Sequence, residues 1–101
     1  MKINEKEYKL KLTGYTLVVY KEQFHKDMFS AIAELEKGID VVSLMEIIWA
    51  FAKSSDKSIP DFEEFTSSIT DLSSLLSKEN FSELTSIIKS SSQRTIEPKK
   101  V

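Results

Sequence analysis

The sequence predicts a small, mainly helical α+β domain, in which an N-terminal β-hairpin precedes about five helices. Its 101 residues, 41% of them hydrophobic, are enough for one hydrophobic core. Near the N-terminus, apolar and charged residues alternate with the period of a β-strand. From Tyr15 onward, apolar residues recur at the three- and four-residue spacing of amphipathic helices.

The alternating segment predicts the hairpin. Tyr8, Leu10 and Leu12 are separated by lysines, which indicates a half-buried strand over residues 8–12. Ile3 is placed in the first strand, and residues 4–7 form the connecting turn. Because two strands alone are barely stable in water, we expect the hairpin to pack against helices.

Two helices are predicted next. Apolar residues at helical spacing occupy residues 15–24, and His25 lies at the junction that follows. Asp27 is a suitable N-cap for a second helix, and Gly38 is suitable just after its last turn.

The segment Val41–Ala52 is the most apolar part of the chain. Only Ser43 and Glu46 are polar within it, so a helix here is apolar on nearly every side. Such a helix is either the central helix of its domain or presents a second side to a partner. We therefore expect the other helices to pack around it.

The rest of the chain predicts shorter elements. A polar linker over residues 53–58 precedes Pro60, which suits the first turn of a helix. Helical spacing follows over residues 61–88 in separate short runs, and no periodicity is visible after Lys89. The sequence thus predicts one domain over residues 1–89 and a flexible basic tail over residues 90–101.

Composition excludes several functions. The net charge is −2, from 14 Lys+Arg against 16 Asp+Glu, and no cysteine is present for disulfides or thiolate metal sites. Charge is uneven, with +3 over residues 1–26, −8 over residues 27–88 and +3 over the remainder. An acidic body disfavours nucleic acid. The absence of a long apolar run or of a signal-peptide pattern predicts a cytoplasmic protein without a membrane segment.

No motif predicts catalysis. His25 is the single histidine, and it has neither a second metal ligand nor a nucleophile placed by motif. The two glycines are isolated, so no phosphate-binding loop is present. We therefore predict a protein that is not an enzyme, with no catalytic, cofactor-binding or metal-binding residues.

Four aromatic residues flank the polar linker and are the candidate partner-binding residues: Trp49, Phe51, Phe62 and Phe65. Two interpretations remain open. The rings could all be core, as a short chain requires of most of its aromatic residues. Alternatively, one face of this group could stay open to receive an apolar helix.

Two segments on either side of the linker, Trp49–Lys53 and Asp56–Phe65, resemble the tail assembly chaperones of long-tailed phages and prophages of Gram-positive bacteria. The start Met-Lys-Ile, the strand-like residues 8–12 with Thr-Gly after them, and the segment Tyr20–Phe29 are also similar to that family. The resemblance spans Met1 to Phe65. It departs from the family pattern at Phe65, where a tryptophan is common.

The resemblance implies a non-enzymatic chaperone that binds the phage tape-measure protein in the bacterial host cytoplasm and keeps it soluble during tail assembly. It also implies a second partner, the tail tube protein, through a longer product made by a ribosomal frameshift. Neither cofactors nor nucleic acid nor a membrane is implied, and oligomerisation stays open. The alternative is another small interaction module, such as a prophage structural adaptor or a regulatory partner protein.

Overall fold

The computed structural model describes residues 1–38 and 40–96. The predicted fold class is confirmed, since these residues form a two-stranded antiparallel hairpin and six helices. The strands are β1 (Lys2–Ile3) and β2 (Lys6–Glu7). The helices are α1 (Gly14–Phe24), α2 (Met28–Lys37), α3 (Val41–Ser55), α4 (Phe62–Ser67), α5 (Leu72–Leu75) and α6 (Lys78–Ile96).

The hairpin is shorter and earlier in the chain than predicted. Lys2 is paired with Glu7, and the two-residue turn consists of Asn4 and Glu5, whose φ angles are 51° and 65°. Positive φ at both central residues matches the twist of the two strands, although the sequence lacks the usual glycine.

The predicted strand over residues 8–12 is wrong, because no strand is assigned there. The segment lies beside α3, where the Lys11 backbone N–H donates to the Phe51 carbonyl at 3.2 Å. Tyr8 is buried, and Leu10 and Leu12 are partly buried against the core. Alternate burial against a helical core produces the same period-two pattern as a strand.

Helices α1 and α2 each begin at a residue whose side chain caps the first turn. Thr13 forms a capping box with Thr16 at the start of α1, and His25 ends that helix in the left-handed region. The Asp27 carboxylate accepts a hydrogen bond from the Ser30 backbone N–H at 2.9 Å and so caps α2.

Helix α3 is the central helix, as predicted. It carries seven buried residues, and α1, α2 and α4 all pack against it. It extends to Ser55, three residues beyond the predicted end.

Helix α6 is longer than the periodicity predicts. It continues through Ile96, so the first seven residues of the predicted tail 90–101 are helical, and residues 97–101 lie outside the described part of the chain. The polar residues after Lys89 are acceptable helix formers, and the first helix-breaking residue after Lys78 is Pro98.

A buried asparagine connects α6 to the hairpin and α5. The Asn80 side-chain amide donates to the carbonyls of Lys2 at 3.2 Å, Ser74 at 2.9 Å and Leu75 at 3.3 Å. The Met1 ammonium adds an ion pair with Glu83 at 3.2 Å. These contacts fix the N-terminal hairpin on α6.

Candidate functional site

The four rings proposed from sequence are mostly core. The side chains of Trp49, Phe51 and Phe65 are 4%, 0% and 1% exposed, while Phe62 is half-buried. The interpretation that they line an open groove is therefore wrong for the first three. A chain of this length needs its largest apolar side chains inside to form a core.

The structure brings only two of these rings together. Phe62 lies 6.0 Å from Trp49 between ring centroids, and Phe24 of α1 contacts both, at 4.9 Å and 5.7 Å respectively. The Trp49 indole N–H donates to the Pro60 carbonyl at 2.9 Å. Because Pro60 lies between α3 and α4, this hydrogen bond fixes the path by which the chain turns back from one helix to the other.

The large apolar side chains that remain exposed are elsewhere: Tyr15, Val18, Phe29, Val42, Leu72 and Leu76. Two pairs among them are neighbours, each pair on its own helix, because residues three or four apart share a helical face. One pair is Tyr15 and Val18 on α1, and the other is Leu72 and Leu76 at α5.

We define the α1 outer face by Tyr15, Val18, Lys21 and Glu22, which follow one another at helical spacing. Tyr15 and Val18 are 48% and 50% exposed, whereas Thr16 and Tyr20 on the opposite side of α1 are fully buried. The helix therefore carries apolar residues on two opposite sides. Tyr15 and Val18 are also at helical spacing in the sequence, but the spacing of Leu17, Tyr20 and Phe24 predicts only the buried side.

The linker after α3 borders the α1 outer face. The Lys57 ammonium lies 5.5 Å from the Tyr15 ring centroid, within the range of a cation–π contact. The Lys53 ammonium donates to the carbonyls of Lys57, at 3.1 Å, and Ile59. The Ser58 hydroxyl and backbone N–H donate to the Asp56 carboxylate at 2.7 Å and 2.9 Å, which lowers the pKa of Asp56. These bonds hold the linker in one conformation at the edge of the face.

A polar network lies on the buried side of α1. The Tyr20 hydroxyl donates to the Glu46 carboxylate at 3.3 Å, and the Lys26 ammonium pairs with the same carboxylate oxygen at 3.0 Å. Burial raises the pKa of Tyr20, and the negative charge of Glu46 raises it further. The fold therefore favours the neutral phenol, whose hydrogen bond connects α1 to α3.

Alkaline pH should destabilise the protein through Tyr20. A raised pKa in the folded state means that the stabilisation is complete below the ordinary tyrosine pKa of 10.0 and falls as the pH rises above it. We expect the free energy of unfolding to fall less between about pH 8 and about pH 11 for Tyr20→Phe than for the original chain. Urea unfolding at the two pH values measures this difference. Tyr15→Phe, which alters an exposed ring, is the control, and equal pH dependence in all three proteins would contradict the assignment.

The described residues offer little for other kinds of site. His25 is exposed at the end of α1. In residues 1–38 and 40–96, no group of three His, Cys, Asp or Glu side chains is arranged to hold a metal ion. Within the same ranges, no helix combines the length and the apolar character that a bilayer crossing requires.

Comparisons with known proteins identify no relative of this chain. The sequence matches no protein-family profile, and neither curated proteins nor solved structures include a significant match. The α1 outer face is therefore the candidate functional site on physical grounds alone.

Proposed function

We propose that the protein is a non-enzymatic phage or prophage tail assembly chaperone, which binds the tape-measure protein in the host cytoplasm and keeps it soluble. The observation that carries this proposal is the α1 outer face, where Tyr15 and Val18 remain half exposed opposite the buried side of the helix. A tape-measure protein is a very long helical chain. Before assembly, its apolar stripe has no partner and promotes aggregation.

The size of the face favours weak and repeated binding. Completing the burial of Tyr15 and Val18 contributes about 1 kcal/mol for each side chain. A micromolar complex requires about 8 kcal/mol, so one face on one copy binds weakly. Many copies along one long partner multiply these contacts without new chemistry. Weak individual contacts also let each copy leave when the tail tube assembles.

The family resemblance supports the same role. It spans Met1 to Phe65, a range that contains α1, the central helix α3 and the linker that carries Lys57. The proposed binding face therefore lies within the span of the resemblance, with Tyr15 and Val18 between the similar segments 8–14 and 20–29. In that family a frameshifted longer product is associated with the tail tube protein, which is the second proposed partner.

A second candidate function is a small structural adaptor or regulatory partner protein. The exposed pair Leu72 and Leu76 favours it, because this pair lies outside the range of the resemblance and on another helix than the α1 outer face. Two separate apolar contacts would suit a protein that joins two partners.

Co-expression tests the proposed function. We expect the tape-measure protein encoded by the same phage or prophage to move from the pellet to the soluble fraction when this chain is co-expressed with it. An unrelated acidic helical protein of similar size is the control for a general effect of co-expression. A tape-measure protein that stays in the pellet with both would contradict the chaperone and leave the adaptor as the better candidate.

A further inference from the structure

We propose that the α1 outer face selects an amphipathic helix whose apolar stripe is bordered by carboxylates. This inference deepens the proposed function, since it rests on a helical partner and adds the chemistry by which that partner is recognised. The charges around Tyr15 and Val18 carry it, and probes other than the tape-measure protein can test it.

Two lysines flank the apolar pair. Lys57 lies over the Tyr15 ring, and Lys21 is one turn from Val18. Both side chains are exposed. Across residues 1–38 and 40–90, whose side chains are described, neither lysine is paired with a carboxylate. Glu22 is the acidic member of the face.

This local charge is opposite in sign to that of the whole chain. The net charge is −2, yet two lysines and one glutamate border the α1 outer face, a local charge of +1. Within a Debye length of about 8 Å, the nearby charges decide what a partner helix experiences. Carboxylates on the flanks of a bound helix would face these lysines, while the apolar stripe covers Tyr15 and Val18.

Lys57 is held in place before a partner binds. Lys53 binds the carbonyl of Lys57, and Ser58 donates to Asp56 in the same linker, so the backbone at Lys57 is held before any partner arrives. Less conformational entropy is then lost on binding, which favours a specific contact over a diffuse one.

A second copy of the chain fits this face poorly. In a two-fold contact the same surface meets itself, so Lys57 and Lys21 of one copy would approach the lysines of the other. Like charges brought together oppose association. The other exposed pair, Leu72 and Leu76, follows Asp71 and does not share the lysine border. Charge complementarity therefore points to a different, acidic helix on α1.

Two synthetic peptides provide the test. Each is an amphipathic helix of about 20 residues with the same leucine stripe, and the flanking positions carry glutamate in one and lysine in the other. Amide chemical-shift titration of the full chain gives the affinity. We expect the acidic peptide to bind about tenfold more tightly at about 50 mM salt, with the difference nearly lost at about 500 mM.

Charge reversal on the protein identifies the lysines responsible. The double variant Lys21→Glu/Lys57→Glu should lose about tenfold in affinity for the acidic peptide, and Glu22→Lys should gain affinity. Lys78→Glu/Lys89→Glu, the same double charge reversal at exposed positions of α6, is the matched control and should leave binding unchanged. Equal binding of the two peptides, tighter binding of the basic peptide, or binding of neither would overturn the inference.

The failures of the inference and of the proposed function are distinguishable. If the chain solubilises the tape-measure protein but binds both peptides equally, the chaperone role stands and the preference for a partner helix bordered by carboxylates is wrong. If the acidic peptide binds as expected but the tape-measure protein stays insoluble, the face is an acidic-helix site in a protein of another function.

Discussion

The variant Val18→Asp should lose the ability to keep the tape-measure protein soluble, although its fold is unchanged. Val18 is 50% exposed in the middle of α1, so a carboxylate there reaches water in the free protein. Valine and aspartate have similar helix propensities, and a surface change of this kind alters stability by about 0.5 kcal/mol or less. In the complex, the same carboxylate would be buried against an apolar stripe, at a cost of several kcal/mol, about 3 or more. We expect the soluble tape-measure protein in co-expression to fall about tenfold.

The matched control is Val42→Asp. Val42 is 53% exposed in the first turn of α3, so it has the same chemistry and exposure as Val18 but lies outside the α1 outer face. This variant should keep the tape-measure protein as soluble as the original chain does. Equal loss in both variants would indicate a general effect of added charge, and no loss in either would remove α1 from the binding surface.

The second large effect concerns stability. The variant Phe51→Ala should lower the free energy of unfolding by about 3–5 kcal/mol, because it leaves a cavity next to the centre of α3. Phe51 is fully buried, and its carbonyl also accepts the hydrogen bond from Lys11 that holds residues 8–12 against the core. Small domains are stable by only about 5–15 kcal/mol, so this variant loses a large part of its stability.

Urea unfolding measures the effect, with Phe29→Ala as the control. Phe29 is 47% exposed at the start of α2, so its removal should change the free energy of unfolding by about 1 kcal/mol or less. If the two variants were equally stable, the position of Phe51 in the core would be wrong. A stable Phe51→Ala variant that fails to bind the partner would instead restore Phe51 as a binding residue.

The sequence was sufficient for the fold class and for the central helix. The apolar run Val41–Ala52 can be stable only when surrounded, and Asp27 marks the start of α2 by a chemistry that is local. Local sequence patterns did not predict the position of the hairpin. Asn4 and Glu5 adopt positive φ without a glycine, and burial of Tyr8 against the core imitates the alternation of a strand.

The candidate site could not be located from the same patterns, because exposure depends on how the linker returns. The hydrogen bond from Trp49 to Pro60 directs the chain so that Phe62 packs on Trp49 and Phe24, next to the core. The apolar residues Tyr15 and Val18 on the other side of α1 stay about half exposed. Tyr15 and Val18 were visible in the sequence, but only the packing of α1 against α3 decides which of its two apolar sides faces water.

Mapping of the backbone amide resonances is the most direct test of the binding surface. A soluble segment of the tape-measure protein is added to the labelled chain, and the changes in chemical shift are assigned along the sequence. We expect the largest changes to cluster from Tyr15 to Glu22 and in the linker around Lys57. Changes centred on α5 and α6, or none at a concentration that saturates the soluble complex, would contradict it.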